Sequence, residues 1–557
     1  MTNTLKIFIP LLSLFIFSSC EDFFSEVPDS RIELDNLDEV SQLLTNAYPD
    51  GSYLFLETMT DNVGAVPSNM QLTKMEEAYN WENISMEDQD TPSYYWSNAY
   101  NGIAHANQAL KSLKTIEGDK SRKDAIEAEA LLVRAYSHFM LVNLFAKHYD
   151  PATAAGDLGV PYITEPEVNL VVSYKRETVE KTYQLIENDL LEGLAKVSNK
   201  FYAKASKYHF TREAALAFAS RFYLYKGDYA TCLKYSQQLL GENYNPAFIK
   251  DYKAVLAGQG PKGRAQRFSS ASDQSNLLLI RKELSYQLYY QFGYRMTQKK
   301  SSEIYFGDSR SNNMWSGNAD QSAIYQSKFE SLIKRESSTA TSGRPYTIQP
   351  VLRGEEVFFN QLESQYQLAS LQEERALQIE ADREMKLSLN MFLIDRYNGP
   401  ANDPTTAEDD TYFFDVFINF YRSLYSKDYP DYTKERGYKE FNKDGTPNKY
   451  FDPEVKKEAD EKIYQDNRRI LYRLIMEERR REFAEEGLRW FDIRRLKLEV
   501  THVNLAGETK VLKADDSRKV LQIPNAALIN GIEGNAIEEP APVAAKLVKL
   551  NRVVFPV

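Results

Sequence analysis

The sequence predicts a mainly α-helical protein built from paired helices, with a loop-rich segment and short strands packed against them. Three observations carry this. Between Arg122 and Tyr149, Ala128, Leu131, Leu132, Ala135, Phe139, Val142 and Ala146 recur at spacings of three and four, which places them on one helix face. From Thr211 to Gly241 two helical stretches flank a break at Gly227-Asp228. From Met476 to Leu496 a charge-rich stretch sets Glu477/Arg481 and Glu485/Arg489 at i,i+4 spacing beside Phe483, Trp490, Phe491, Ile493 and Leu496. With 43% hydrophobic and 27% charged residues, the chain has the composition of a packed protein and not of a disordered one.

The first element is an export signal. Lys6 precedes an apolar run from Ile7 to Phe17 that contains Pro10, and Ser18, Ser19 and Cys20 follow. That run is too short for a bilayer-spanning helix, which needs about 20 residues. Small residues directly before a cysteine resemble the bacterial lipobox, in which Cys20 becomes the acylated first residue of the mature protein; the alternative is a secretory signal with a chance cysteine. Several acyl chains hold a soluble body on a membrane at about 0.8 kcal/mol per buried CH₂. Residues 1–19 are then signal and residues 20–557 a single body, in which Cys20 and Cys232 are the only cysteines, so an acylated Cys20 leaves no intrachain disulfide.

Within the body, residues 20–255 read as an N-terminal helical part. Thr211 is a candidate N-cap, with Ala214, Phe218, Phe222 and Tyr225 behind it; Tyr229, Leu233, Ser236 and Leu240 form the partner helix that ends at Gly241. This hairpin fits one tetratricopeptide unit, whose apolar face requires neighbouring hairpins to cover it. Residues 256–350 differ. Gly258-Gln-Gly-Pro261, the run from Gly307 to Gly317 and the run from Ser337 to Gly343 favour turns and loops, and Leu277 to Ile280 is a short strand-like run. Residues 351–557 return to helix, from Leu352 to about Tyr397 and from about Pro453 to Lys497, before a strand-like segment from Val511 to Pro524.

The chemical inventory is sparse. A net charge of -12 disfavours nucleic acid as a partner. The five histidines show no metal-binding spacing; His138 and His148 fall on or beside the first helix, where packing is the simpler role. No nucleophile elbow, Walker loop or dinucleotide fingerprint occurs, and no cofactor is expected. Arg310 sits where a calcium loop in the acidic 308–320 stretch would need an oxygen ligand. A glycosidase needs only two carboxylates, and nothing in the sequence points to such a pair.

The stretch from Met476 to Leu496 also resembles the C-terminal signature of the SusD/RagB family of outer-membrane lipoproteins. Cys20 to Pro28 is similar to that family's mature start, Trp96 to Asn107 to its first helical motif, and Leu131 to Tyr149 with Leu158-Gly-Val-Pro-Tyr162 to its repeat helix and turn. Leu521-Gln-Ile-Pro524 stands at its closing turn with one proline missing, and Leu352 to Glu356 is a looser match. The resemblance implies about four tetratricopeptide-like helix pairs in a right-handed superhelical scaffold. It further implies a non-enzymatic lid that captures a nutrient, most often an oligosaccharide, for a SusC-like TonB-dependent outer-membrane barrel, on the outer membrane and facing outward. The 476–496 signature and Trp96 would then be scaffold. Glu21-Asp22 is similar to the acidic signal that sends Bacteroidetes-type lipoproteins to the outer face.

Glycan capture asks for exposed aromatic faces beside hydrogen-bonding side chains, because sugars present apolar C–H faces ringed by hydroxyls. The 37 tyrosines offer many such faces. The candidates are Trp81, in the irregular stretch from Asn80 to Thr91; Trp315 with Arg310, Asn312 and Asn313; and Tyr289, Tyr290 and Tyr294. Each has a structural alternative: a loop tryptophan can pin its loop, and the tyrosines can be core. A peptide-capturing lid of the same fold and a helical glycoside hydrolase are the competing functions.

Overall fold

The computed structural model describes residues 34–67, 72–166, 174–202, 205–257, 260–284, 293–304, 328–330, 332–334, 343–397, 428–436, 438–443 and 445–537. It is mainly helical. The first helices are α1 (Leu37–Leu44), α2 (Thr73–Tyr79), α3 (Pro92–Ser112), α4 (Lys120–Phe145), α5 (Val179–Lys196), α6 (Arg212–Lys226) and α7 (Tyr229–Leu240). Three short ones follow, α8 (Tyr252–Leu256), α9 (Gly260–Phe268) and α10 (Gln298–Ile304), and then α11 (Gly354–Ser370) and α12 (Arg375–Tyr397). The last are α13 (Pro453–Glu482), α14 (Leu488–Arg495) and α15 (Asn525–Ile529). Successive helices pack as pairs: α3 on α4, α4 on α5, α6 on α7, α7 on α11, and α11 on α12.

Local chemistry sets the ends of these helices. Thr91 caps α3 by accepting the Tyr94 N–H, with Pro92 next to it where a missing N–H costs nothing. Thr211 caps α6, Gly227 ends it in the left-handed region at φ 77°, and Asp228 then accepts the Thr231 N–H to start α7. The hairpin is the one the sequence predicts. Inside it, the Ser220 and Ser236 hydroxyls meet at 2.9 Å between alanine-rich faces.

The first helix forms as expected, but its burial does not follow one face. From Ala125 to Phe145 α4 is buried almost throughout, Glu129, Arg134 and His138 included, because α1, α3, α5 and α6 pack around it. Its buried arginine is paired there: Arg134 makes a two-pronged bond to Asp189 of α5 at 2.7 and 2.8 Å and a third to Asn107 at 2.9 Å.

The strands are β1 (Gly64–Ala65), β2 (Asn276–Glu283), β3 (Tyr294–Arg295), β4 (Leu332–Lys334), β5 (Arg344–Arg353), β6 (Val500–Val503) and β7 (Thr509–Leu512). They form an antiparallel sheet in the order β2-β5-β4 and two ribbons, β1-β3 and β6-β7. Four expectations change. Gly260-Pro261 opens a helix, α9, in place of a loop. The helix expected from Leu352 to Tyr397 is two, α11 and α12. The hairpin expected from Val511 lies earlier, at β6-β7, and Pro524 caps α15. The signature helix breaks after Glu482, where Glu485 and Gly487 take positive φ of 64° and 75°.

That break reassigns the charges. Glu485 and Arg489 are not on one helix, and Arg489 binds Asp61 through two bonds of 2.9 Å. Arg481 pairs with Glu478 and donates to the Ile304 carbonyl, while Arg480 reaches Asn62 at 2.7 Å. Arg479 binds Asp492 and Asn360, and Arg495 binds Glu363. Nearly every member is buried. The signature is therefore a paired interior hub and not a solvated helix. A buried charge is tolerable only when it is paired and hydrogen-bonded.

Candidate functional site

The hub holds two points within the loop-rich segment, Ile304 and Lys328. Lys328 is buried and donates to the Glu482 and Ala484 carbonyls at 2.9 and 2.7 Å and to Glu486 at 2.8 Å. Ile304, on the other side of residues 305–327, is held through its carbonyl by Arg481. Residues 285–292 are bracketed in the same way: Leu284 N–H donates to the Pro345 carbonyl at 3.1 Å, and Val66 N–H donates to the Gly293 carbonyl at 2.7 Å.

Two expected ligand contacts prove to be core. Trp81 is 3% exposed, its indole N–H donates to the Met59 carbonyl at 2.9 Å, and its face is covered by His502 at 4.3 Å. Tyr294 is 1% exposed in β3 and packs against Tyr79 at 4.7 Å. Both rings are buried; the β6-β7 ribbon brings His502 onto Trp81 from more than 400 residues away, and Tyr79 covers Tyr294. Cys20, Tyr289, Tyr290, Arg310, Asn312, Asn313 and Trp315 lie outside the described residues.

Beside the bracket of residues 285–292 lies a cluster that the sequence reading missed. Arg281 and Glu283 share one face of β2, and Tyr346 on β5 is directly opposite Glu283. Tyr94 O–H donates to Glu283 at 2.6 Å, Arg281 binds Asp50 at 2.8 Å and stands 5.7 Å from the Tyr346 ring centre, and Arg344 lies 3.8 Å from Glu283. Arg344 is largely exposed, and Tyr94, Arg281 and Tyr346 are half-buried. Burial and the nearby Glu283 raise the Asp50 carboxyl above its usual value, and burial with the Glu283 contact raises the Tyr94 phenol. On the opposite face of β2, Lys282 is buried; it donates to the Pro49 carbonyl and, at 3.1 Å, to that of Gly51, which fixes the turn carrying Asp50. Burial brings the Lys282 amine down to about 7. The legible signal was alternation: Arg281 and Glu283 end an apolar strand at positions i and i+2.

This rim offers guanidinium donors, carboxylate acceptors and two phenol rings. It has the groups to hold a polyhydroxylated ligand. No group of His, Cys, Asp and Glu among the described residues could hold a metal ion. His138 is packed against Tyr162 at 3.9 Å, and its imidazole, pushed down to about 3 by burial, accepts the Ile163 N–H. No helix among the described residues is long and apolar enough to cross a membrane.

Comparison with known proteins agrees with this architecture. A SusD-like family model, described as starch-binding and associating with the outer membrane, matches residues 22–224, and a SusD family model matches residues 419–528. The chain belongs to the SusD/RagB family. A SusD-like protein, P2, from Formosa agariphila is 28% identical over 163 residues, a stretch that covers 28% of either chain. Among solved structures, a SusD superfamily protein of Bacteroides thetaiotaomicron shares the fold with a TM-score of 0.59 at 15% identity, over 90% of this chain and 100% of that one. A putative sugar binding protein from Bacteroides vulgatus gives 0.59 at 17% identity, over 92% and 100%. A laminarin binding SusD-like protein gives 0.52 at 16% identity, over 90% and 99%. The paired helices of this SusD/RagB protein are thus the helical, tetratricopeptide-like architecture of the superfamily.

Proposed function

We propose that this SusD/RagB protein is a surface lipoprotein that captures an oligosaccharide or polysaccharide without cleaving it and passes it to a TonB-dependent outer-membrane transporter. The observation that carries the reading is the rim of Tyr94, Arg281, Glu283, Arg344 and Tyr346, held by the sheet beside the bracket of residues 285–292. Rings and multidentate polar groups on a rigid frame are what sugar binding requires. The names of the sugar-binding and laminarin-binding structural relatives support the same class of ligand. Cys20 would supply the acyl anchor, and Trp315, Arg310, Asn312, Asn313, Tyr289 and Tyr290 would add contacts from the loop-rich segment.

The test is calorimetry of soluble Glu21–Val557 against a panel of polysaccharides and peptides, with chromatography of the same mixtures. Saturable glycan binding without new products, weakened by Trp315→Ala, is the expected result. Released sugars would establish a hydrolase instead, and binding confined to peptides would establish a peptide-capturing lid. Co-purification with a TonB-dependent barrel, lost from the membrane fraction with Cys20→Ser, tests the anchor and the partner.

A further inference from the structure

A cleft of about 400 Å³ lies between the starts of α12 and α13, on elements that take no part in the rim described above. Phe451 and Pro453 line it, so its surface includes one half-buried ring and one aliphatic ring. Two ion pairs also line it: Lys456 with Asp460 at 2.6 Å, and Arg375 with Glu461 at 3.1 Å. Their side chains are between 38% and 54% exposed. Pairs that wet contribute about 0–1 kcal/mol to stability, so the fold has little need of them. Tyr438 also donates to Asp460 at 3.0 Å and Gln465 to Glu461 at 2.8 Å, and each partly exposed carboxylate oxygen can accept more than one hydrogen bond. Lys457 lines the same cleft, is exposed and has no ion-pair partner among the described residues. Three cations face two carboxylates there, a surplus of one positive charge on a protein whose net charge is -12.

We infer that this cleft is a second saccharide-binding site, one that takes an acidic pyranose unit. A ring face packs on the sugar's C–H surface, the ion pairs bond to its hydroxyls, and Lys457 meets its anionic group. The volume lies within the range of small-ligand clefts, about 300–1,000 Å³. The inference rests on the glycan-capture reading and names a ligand class for it. In a protein that holds long polymers, a second contact on the same chain raises the effective concentration at the first.

The experiment titrates trigalacturonate and its fully methyl-esterified form, in which each carboxylate becomes a neutral methyl ester, into soluble Glu21–Val557 and into Lys457→Glu and Phe451→Ala variants, each checked by circular dichroism. The expected result is binding of the acid form at least five-fold tighter than the ester, weakened at least five-fold by Lys457→Glu, with the ester's affinity unchanged by that variant. Phe451→Ala should weaken both forms. If Phe451→Ala fails to fold, the exposed Lys457→Glu still decides. Equal affinities for acid and ester, or indifference to Lys457→Glu, would overturn the acidic site while leaving glycan capture at the rim standing whenever neutral polysaccharides bind. Silence toward every saccharide, neutral ones included, would overturn both.

Discussion

At the residue scale, the decisive chemistry is the pairing of buried charge. Asp61 accepts two bonds from Arg489 and lies 3.2 Å from Arg480, and these guanidinium groups hold its carboxyl far below the usual carboxylate range. Asp61→Asn leaves Arg489 buried without its bonded carboxylate and Arg480, among the described residues, with Glu477 alone, at 3.6 Å, and we expect a loss of about 3–5 kcal/mol in urea denaturation at neutral pH. The wild-type contribution is present above the unfolded value near 4 and fades as pH falls through the depressed folded value, so the variant and the wild type should converge in acid. Glu485 behaves in the opposite sense. Burial and the neighbouring Glu57 raise its carboxyl to about 8, so the folded protein holds it protonated while the unfolded chain ionises it near 4.3. Stability from this group is whole below about 4.3 and is lost as pH rises toward 8. Glu485→Gln should therefore leave the melting temperature unchanged at pH 4 and raise stability at pH 8, by about 1–2 kcal/mol because the residue is partly solvated. Thermal melts across that window that run parallel for the two proteins would refute the assignment.

At the scale of elements, close approach and turn geometry set the tolerance to change. Gly227 ends α6 at φ 77° with open space around it, so Gly227→Ala should cost only the left-handed backbone penalty, about 1 kcal/mol. Gly102 is the contrasting case. A Cβ there would lie 2.4 Å from the Ala47 carbonyl oxygen, on backbone that cannot give way as a side chain can. Gly102→Ala should cost about 1–3 kcal/mol by pushing the 45–49 turn off α3. Equilibrium unfolding of both variants, compared at one pH, checks the ordering. The same scale explains why the α6-α7 hairpin was legible while the end of α13 was not. Thr211, Gly227 and Asp228 are local signals read within a few residues, whereas the break after Glu482 depends on Glu57, which accepts the Glu485 and Gly487 N–H groups from more than 400 residues away.

At the scale of the whole molecule, one continuous core runs from Leu37 to Ala527, and the hub joins the N-terminal segment, α11 and the C-terminal signature into it. A ligand rim carried on such a frame should lose affinity on substitution without losing the fold. The largely exposed Arg344→Ala is expected to weaken glycan binding about three- to ten-fold, worth roughly 0.6–1.4 kcal/mol, with a melting temperature within about 1 °C of wild type, whereas Tyr94→Phe, which removes a hydrogen bond donated to the buried Glu283, should also lower stability by about 1–3 kcal/mol. A large drop in melting temperature for Arg344→Ala would instead mark that residue as part of the scaffold. Part of the site could be foreseen: the composition of residues 256–350 pointed to loops and strands there, and β2 formed at the apolar run from Leu277. The choice of aromatic residues could not. Trp81 stands among the candidates and Tyr94 does not, and only the partners that cover the one and leave the other at the rim distinguish them.

By itself the sequence determined the helical class, the α6-α7 hairpin with its caps and the strand at Leu277, because periodicity and turn residues are properties of short stretches of chain; a scaffold role for the Arg/Glu-rich signature came only from its resemblance to the family's motif. Tertiary structure decided which charges pair, where the signature helix breaks, that His502 seals Trp81 and Tyr79, and that Asp50, Tyr94, Arg281 and Tyr346 meet at one rim. Those outcomes depend on contacts between residues tens to hundreds of positions apart. Burial of an aromatic face or a guanidinium is a property of what lies against it, and no local pattern encodes that.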